Sequence, residues 1–340
     1  MHDPFRSLNL LLVRFSSIGD IILTTPLLRA IRRRHPGSRI TVLTKDAYRP
    51  LLGDNPQVNV VLGMDSKRPL ASVAAELRAE RYTHLLDLHG SLRSWALRAL
   101  VPGHWRGYSK HRLSRAVLIR AKRNIYPNTG PVAERYFEAA RDLDVAPDGN
   151  PPEFFLNHKA RAAAAAWLAG VGIAADRPMV AVAPGAAHAT KRWPREHWRA
   201  LIEQLVEEGF DIAVVGGEND APLASRLVEV SPTRVASAAG KFGLQETGAI
   251  LETACAVVSG DTGVMHMATG VGTPVVALFG PTVEPFGFFP YSNAARVLEL
   301  PLPCRPCSSQ GTARCPLGHH RCLRDLLPDQ VHQAVLLSIR

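Results

Sequence analysis

Residues 8–35 read LNLLLVRFSSIGDIILTTPLLRAIRRRH, and this stretch decides the fold. A mostly apolar run (8–13) is followed by a polar loop (14–20) and by apolar residues at helical spacing (21–31). The histidine, proline and glycine that come next (35–37) are typical of a helix end. The pattern therefore predicts a strand, a loop and a helix, in that order.

Strands and helices alternate in the same way through the rest of the chain. The first half is predicted to contain strands at 39–43, 58–62 and 84–88 and a helix at 71–80. The second half is predicted to contain helices at 159–170 and 195–208 and strands at 179–183, 212–215, 256–259 and 274–279. Such alternation is typical of parallel sheets with helices on both faces. We expect an α/β protein with two doubly wound, Rossmann-like sheets that face each other across a cleft, with ligands at the carboxyl ends of the strands.

Length and one breaker-rich segment predict the domain boundaries. A chain of 340 residues is too long for one ordinary hydrophobic core. The segment PDGNPP (147–152) suits a linker. We expect an N-terminal Rossmann-like domain over 1–152, a C-terminal Rossmann-like domain over 153–325, and a final helix over 326–340 that packs back on the N-terminal domain.

Composition is that of a globular protein that works in water. Apolar residues make up 46% and charged residues 21% of the chain. No run approaches the roughly 18 uncharged apolar residues that a membrane span needs. The first nine residues lack the apolar core of a secretory signal. We therefore expect a cytoplasmic protein.

Positive charge is concentrated in the first half of the sequence. Residues 1–150 contain 24 Lys and Arg against 13 Asp and Glu, whereas residues 151–340 contain 16 against 17. The densest segment, 104–126, has seven Lys and Arg and no acid. Such a segment is either a solvated helical face or a surface for an anionic partner: an acidic substrate, an acidic membrane surface or nucleic acid. Nucleic acid is the weakest of these, because no nucleic-acid-binding motif accompanies the charge.

The loop that follows the first predicted strand contains a candidate catalytic carboxylate. Gly19 permits a tight turn, and Asp20 lies near the start of the next helix. A helix cap is one interpretation of Asp20. The other is a general base that deprotonates an incoming hydroxyl.

Two loops of the second half suit an anionic ligand. Lys191 precedes a helix start at Pro194, where a lysine could bind phosphate or merely top a solvated turn. The stretch SGDTGVMH (259–266) runs from a strand into a helix, so the amides of Thr262 and Gly263 form a natural diphosphate cradle. His266 could face the ligand or the core.

Two further strand ends in this half carry candidates. Glu218 follows two glycines and could accept hydrogen bonds from a sugar hydroxyl, although it could equally be a surface acid. The segment FGPT (279–282) closes the last predicted strand, where its backbone could approach a base or a phosphate.

Five cysteines allow two interpretations. Cys255 lies in an apolar run and suits the core. Cys304, Cys307, Cys315 and Cys322 could hold a structural zinc ion, but their spacing matches none of the common zinc patterns. Free thiols are the default expectation in the cytoplasm.

Four motifs together resemble those of one enzyme family. SSIGD (16–20), KRWP (191–194), SGDTGVMH (259–266) and LFGPT (278–282) occur in the order and spacing seen in glycosyltransferase family 9, the lipopolysaccharide heptosyltransferases. The resemblance covers nearly the whole chain. The cysteine-rich segment CPLGHHRC (315–322) is similar to that of the heptosyltransferase II branch.

This resemblance implies a GT-B fold and an inverting transfer of heptose from ADP-heptose to the growing inner core of lipopolysaccharide, without a cofactor or a catalytic metal. It implies that the first domain binds the acceptor and that the second binds the donor nucleotide. Asp20 matches the catalytic base and Lys191 the phosphate-binding lysine. The donor-binding residues that match the family are Asp261, Thr262, Gly263 and His266, with Glu218 as a further donor contact.

The acceptor side follows from charge. An acceptor that bears carboxylates and phosphates would explain the basic first half. The acceptor-side candidates are Ser16, Ser17 and Arg120. Such an acceptor also suggests a peripheral place on the cytoplasmic face of the inner membrane. No nucleic-acid partner is expected.

Two other functions remain open on the sequence. One is a related transferase or an epimerase that uses another nucleotide sugar. The other is a non-catalytic protein that binds a nucleotide or nucleic acid.

Overall fold

The buried run Leu10–Val13 forms the central strand of the first of two parallel sheets. The computed structural model describes residues 8–65, 67–127, 130–173 and 176–339, so the ends of the predicted domain ranges (1–7 and 340) lie outside the described residues. The strands are β1 (Asn9–Val13), β2 (Arg39–Lys45), β3 (Val60–Met64), β4 (His84–Asp87), β5 (Trp105–Gly107), β6 (Met179–Ala183), β7 (Asp211–Val214), β8 (Val235–Ser237), β9 (Ala256–Gly260), β10 (Val275–Phe279) and β11 (Ala295–Glu299).

Helices follow most of the strands. The α-helices are α1 (Ile18–Ile22), α2 (Thr25–Arg34), α3 (Leu70–Ala79), α4 (Leu92–Leu100), α5 (Arg112–Ala121), α6 (Val132–Arg135), α7 (His158–Gly170), α8 (Arg195–Glu207), α9 (Ala221–Val228), α10 (Leu244–Thr253), α11 (Gly263–Gly270), α12 (Arg321–Arg324) and α13 (Pro328–Ile339). Short 3-10 helices lie at Asp46–Leu51, Tyr136–Leu143, Ala189–Lys191, Glu218–Asp220 and Glu284–Phe286. None of the helices within the described ranges is long and apolar enough to cross a bilayer.

The chain divides into two compact units. The first comprises residues 1–110 and 132–155, and the second comprises 111–131 and 156–340. The predicted boundary after residue 152 lies three residues before the chain enters the second unit at 156. The segment 111–131 interrupts the first unit, which the sequence analysis did not foresee.

The sheet of the first unit has the strand order β3-β2-β1-β4-β5. All four strand pairs are parallel; for example, Leu10 of β1 lies opposite both Ile40 of β2 and His84 of β4. Apolar side chains from β1 pack with those of α3 and α4 in a core that includes Leu11, Val13 and Leu77. The predicted doubly wound α/β class is confirmed for this unit.

The helix predicted from Ile21 onwards is in fact two helices. α1 ends at Ile22, and α2 starts again at Thr25 with a proline at its second position. Proline lacks an amide hydrogen and is therefore favoured in the first turn of a helix, where that donor has no partner. The proline thus marks the restart.

The sheet of the second unit has the order β11-β10-β9-β6-β7-β8, again with every pair parallel. β6 is buried along its whole length and lies between β7 and β9. Its neighbours carry the core of the unit, in which Trp198 and Leu201 of α8 pack against the sheet.

The last helix packs within the second unit. Val331, Ala334 and Val335 are the buried residues of α13, and all three belong to the same core as β9, β10 and α8. The prediction that this helix packs back on the N-terminal domain is therefore wrong. Its apolar face has the usual helical spacing, but that spacing does not indicate which sheet the face covers.

Most of the basic segment, residues 111–126, also belongs to the second unit, whereas residues 104–110 belong to the first. Arg115 lies over the Phe286 ring at 5.3 Å, and the Lys122 ammonium donates to the carbonyl of Cys304 at 3.0 Å. The first unit therefore has 19 Lys and Arg against 14 acids and the second has 21 against 16, which is a net charge of +5 for each. The expectation that the first domain alone is basic is corrected.

The predicted linker is tied to α2 by a buried arginine. Two nitrogens of the Arg29 guanidinium donate to the Asp148 carboxylate at 2.8 and 2.9 Å, and a third donates to the carbonyl of Pro151 at 3.1 Å. Glu153 lies 3.2 Å from the same guanidinium. These contacts hold 148–153 against the first unit, whereas a linker would be free of it.

We predict that Arg29→Ala lowers the free energy of unfolding by about 2–4 kcal/mol, because it removes the buried cation that Asp148 and Glu153 share. Arg33→Ala is the matched control. Arg33 contacts the same Asp148 carboxylate at 3.2 Å but is 68% exposed, so its loss should cost less than about 1 kcal/mol. Urea denaturation measures the free energy of unfolding of both variants. Equal losses in the two would contradict the structural role of Arg29.

Candidate active site

Asp20 is held by three donors at the end of β1. Its first carboxylate oxygen contacts the Arg14 guanidinium, and its second accepts the Ser17 amide at 3.1 Å and the Ser17 hydroxyl at 2.8 Å. Asp20 is the third residue of α1 and not its N-cap, which is Ser17, but its carboxylate accepts the Ser17 amide as in a capping box. The side chain is still 16% exposed, which leaves the carboxylate accessible to a ligand hydroxyl.

The Asp20 carboxylate is held in its ionised form. Burial alone would raise its pKa, but the Arg14 charge and the Ser17 hydrogen bonds outweigh burial and lower the pKa below its ordinary value. Arg14 is itself buried, and its charge is stabilised by Asp20 and by the carbonyl of Leu88, to which it donates. The Tyr136 hydroxyl donates to the backbone carbonyl of Asp20 at 3.4 Å.

The neighbouring loop after β4 brings a histidine to the same edge. His89 packs edge-on against Phe15, with 4.9 Å between the ring centroids. Burial, followed by the charges of Arg14 and Lys110, lowers the pKa of His89 to about 4, so the imidazole is neutral at pH 7. The Lys110 ammonium donates to the carbonyl of His89. His89 is not among the residues predicted from the sequence; its place at the end of a strand next to β1 is the signal that would have found it.

The acceptor-side candidates separate in the structure. Ser17 acts on Asp20 directly, and Ser16 is half-buried beside it. Arg120 is exposed on α5 and belongs to the second unit. The first unit therefore brings together Ser16, Ser17 and Asp20, but not Arg120.

In the second unit, Lys191 forms an ion pair with Asp261. The Lys191 ammonium lies 2.6 Å from the Asp261 carboxylate, and the Thr282 hydroxyl donates to the same oxygen at 2.7 Å. These residues lie in loops after β6, β9 and β10, which end at one edge of the sheet. Asp261 thus orients Lys191. Thr282 lies in the predicted segment 279–282, but this role of its hydroxyl is not predicted from the sequence.

The start of α11 lies beside this pair. Thr262 is the N-cap of α11, and its hydroxyl lies 3.0 Å from that of Ser259. The first amides of an α-helix have no partner within the helix and favour an anion. A Cβ atom added at Gly260 would lie 3.1 Å from the carbonyl of Lys191, so glycine lets the two loops approach. His266 is buried on α11, which accords with its core-facing interpretation.

Glu218 lies on a turn that an unpredicted acid supports. Asp220 accepts the amide of Gly217 at 2.9 Å, and Glu218 is exposed at the edge of that turn. A Cβ atom at Gly185 would lie 2.1 Å from the Asp220 carboxylate. Gly185 thus makes room for Asp220 between the two loops.

Residues 305–320, which include part of the cysteine-rich segment, support the Lys191 loop. The Thr190 hydroxyl and the Thr190 amide both donate to the Thr312 carbonyl, at 3.0 Å and 3.1 Å respectively. His320 Nε2 lies 3.0 Å from the carbonyl of Thr190. Arg305 donates to the carbonyls of Gly280 and Thr282. This segment therefore fixes two of the loops that carry the site, which sequence reasoning did not foresee.

All five cysteines are free thiols, and Cys322 is buried. Burial raises the pKa of Cys322 to about 11. Among the residues that the structure describes, no three His, Cys, Asp or Glu side chains are arranged to hold a metal ion.

Paired Rossmann-like units with polar loops at the carboxyl edges of their sheets are the architecture of GT-B glycosyltransferases, and the chain is an enzyme of this class. Residues 70–317 match the sequence profile of glycosyltransferase family 9 (heptosyltransferase). The chain belongs to this family, as its four motifs predict.

Curated relatives cover almost the whole chain. The chain is 30% identical to the lipooligosaccharide heptosyltransferase 2 of Haemophilus ducreyi, over 96% of this chain and 98% of that protein. It is 28% identical to the lipopolysaccharide heptosyltransferase 2 of Escherichia coli K12, over 95% and 96%. The similarity to the heptosyltransferase II branch is thus confirmed.

Solved structures agree. The ADP-heptose lipopolysaccharide heptosyltransferase II of E. coli aligns with a TM-score of 0.76 and 25% identity over 98% of each chain. A family 9 glycosyltransferase from Veillonella parvula aligns with a TM-score of 0.75 and 25% identity over 86% of this chain and 85% of that one. The expected GT-B fold is confirmed.

We predict that the His89 imidazole titrates near pH 4, which NMR of the ring protons measures. Its folded pKa lies below the unfolded value of about 6.5, so the unfolded state binds more protons between these values. The stability that His89 contributes is present above pH 6.5 and is lost as the pH falls towards 4. His89→Gln should flatten this part of the stability profile. Lys110→Met should raise the pKa of His89, and an ordinary titration near 6.5 in the wild type would contradict the prediction.

Proposed function

We propose that this family 9 glycosyltransferase transfers heptose from ADP-heptose to the inner core of lipopolysaccharide, at the cytoplasmic face of the inner membrane. The relatives named above are heptosyltransferases that act in lipopolysaccharide or lipooligosaccharide synthesis, and one solved relative is named for ADP-heptose. The observation that carries the proposal is the accessible Asp20 carboxylate, which Arg14 and Ser17 keep ionised.

The proposed chemistry is one displacement with inversion at the anomeric carbon. Asp20 accepts the proton of the acceptor hydroxyl as its oxygen bonds to the anomeric carbon and ADP leaves. A carboxylate with a lowered pKa suffices, because the hydroxyl proton becomes acidic only as the new bond forms. Arg14 and Ser17 fix the direction of the carboxylate and maintain its charge. Ser16 and Arg120 remain predicted acceptor contacts.

The proposed donor site is the edge of the second sheet. Lys191 neutralises the diphosphate, and the amino end of α11 at Thr262 and Gly263 adds positive potential. When the donor binds, its phosphates compete with Asp261 for the Lys191 ammonium. Because these groups supply the charge that a cation would otherwise provide, we propose that transfer needs no metal and continues in the presence of a chelator.

We predict that Asp20→Asn lowers turnover about 10²–10⁴-fold, the usual contribution of a general base. The amide keeps the shape of the side chain but cannot take the proton. ADP release with a core oligosaccharide acceptor measures turnover, and calorimetry measures ADP affinity, which should change little. A turnover within about threefold of the wild type would remove Asp20 from the chemistry.

We predict that Lys191→Ala weakens ADP binding about 10–100-fold, as expected for the loss of a charge-assisted contact to phosphate. Arg192→Ala is the matched control, because it removes an exposed cation at the next position. Calorimetric titration of ADP, UDP and GDP into the wild type and the two variants tests both the location of the donor site and its preference for one nucleobase. Tighter binding of UDP or GDP would keep the fold and overturn ADP-heptose as donor.

A further inference from the structure

One acid-free stretch combines positive charge with exposed apolar side chains. Residues 88–133 contain nine Lys and Arg and no Asp or Glu. Of the eight large apolar side chains exposed in the described part of the chain, five lie in this stretch: Leu92, Trp95, Leu100, Leu113 and Ile125. Exposed apolar groups surrounded by one sign of charge indicate a binding surface.

Within the first unit, helix α4 carries the exposed apolar side chains of this stretch. Its buried side chains are Ser94 and Leu97. The opposite face is apolar as well: residues 92, 95, 96, 99 and 100 are exposed and recur at helical spacing. Leu92 is 80% exposed and Trp95 45%. A surface helix normally presents a polar face to water, whereas this face of α4 exposes apolar side chains.

Cations lie around the stripe. Arg93 and Arg98 are on α4 itself, and Arg78 donates to the carbonyl of Leu100 at 2.8 Å. Lys110 contacts the backbone just before the helix, at His89. Of these, Arg98 faces one acid, the buried Asp87 at 3.9 Å. The helix thus combines exposed apolar side chains with cations on the helix itself and near both of its ends.

We propose that α4 is a membrane-docking helix that lies on the surface of an anionic phospholipid bilayer. Leu92, Trp95 and Leu100 enter the boundary between head groups and acyl chains, while the arginines bind lipid phosphates. Tryptophan is favoured at this boundary. α4 spans only about 13 Å, which is short for the roughly 800 Å² per partner of a specific protein interface. Nucleic acid would use the cations but not the leucines.

The second unit has a separate region of the same character. Leu113 is 74% exposed on α5, and Ile125 is 47% exposed after it. Arg112 and Arg120 are exposed on the same helix. The combination of charge and apolar exposure is thus not confined to α4.

Docking by α4 goes beyond the proposed transfer reaction and does not depend on Asp20 or Lys191. It rests on the exposed surface alone. If the acceptor is anchored in a membrane, docking places the enzyme at the surface where the acceptor is found.

The test is flotation of the full-length chain with vesicles of phosphatidylcholine alone or of phosphatidylcholine with about one third phosphatidylglycerol. We expect binding to the anionic vesicles that weakens as salt rises. Leu92→Ser/Trp95→Ser should lower the partition coefficient at least about tenfold, because two apolar side chains no longer insert. Leu317→Ser/Leu337→Ser is the matched control at two leucines exposed elsewhere, and it should bind as the wild type does.

Three results would overturn the proposal: no binding of the wild type to anionic vesicles, an equal loss in the control, or lipid-free self-association of the wild type that Leu92→Ser/Trp95→Ser abolishes. Thermal unfolding establishes that each variant is folded. Transfer to a water-soluble, deacylated acceptor should be the same in the variant and the wild type. If the wild type binds vesicles but transfers no heptose, the proposed function fails while docking stands.

Discussion

Parallel pairing is the constraint on which the arrangement of both units depends. Each sheet consists only of parallel strands, so every strand in it ends at the same edge. In the second unit this brings together Lys191, Asp261 and Thr282, which are up to 91 positions apart in the chain. In the first unit it brings His89 to the loop of Asp20. Chemistry at either edge is therefore built from loops that are distant in sequence and fixed by the strands beneath them.

The two edges use ion pairs in opposite senses. In the first unit a buried arginine holds a carboxylate ionised and leaves part of it accessible, so the group offered to a ligand is a base. In the second unit an aspartate and a threonine hold an ammonium group beside a helix start, so the group offered is a cation. In each case the partner fixes both the direction and the charge of the functional group. A fully solvated side chain would have no such fixed direction.

The sequence predicted the central strands well because they are buried on both faces and read as unbroken apolar runs. β6 was predicted to the residue, and β1, β9 and β10 to within one residue. β5, β8 and β11 were missed. β5 and β11 are edge strands with half-exposed side chains, and β5 and β8 have only three residues each, so periodicity is weak. The motif residues Asp20 and Lys191 were found from loop chemistry, whereas Thr312, Asp220 and His89 support or flank the site through tertiary contacts that no local pattern encodes.

The chain passes between the two units three times, at 110/111, 131/132 and 155/156. The linker-like segment at 147–152 looks like the natural place to recombine the halves of two related enzymes. A hybrid joined there would take Arg115 and Lys122 from one parent and their contacts at Phe286 and Cys304 from the other. An exchange of the second unit among relatives, whether in the laboratory or in evolution, therefore has to carry residues 111–131 together with the C-terminal half. The part of the gene that encodes this unit is discontinuous.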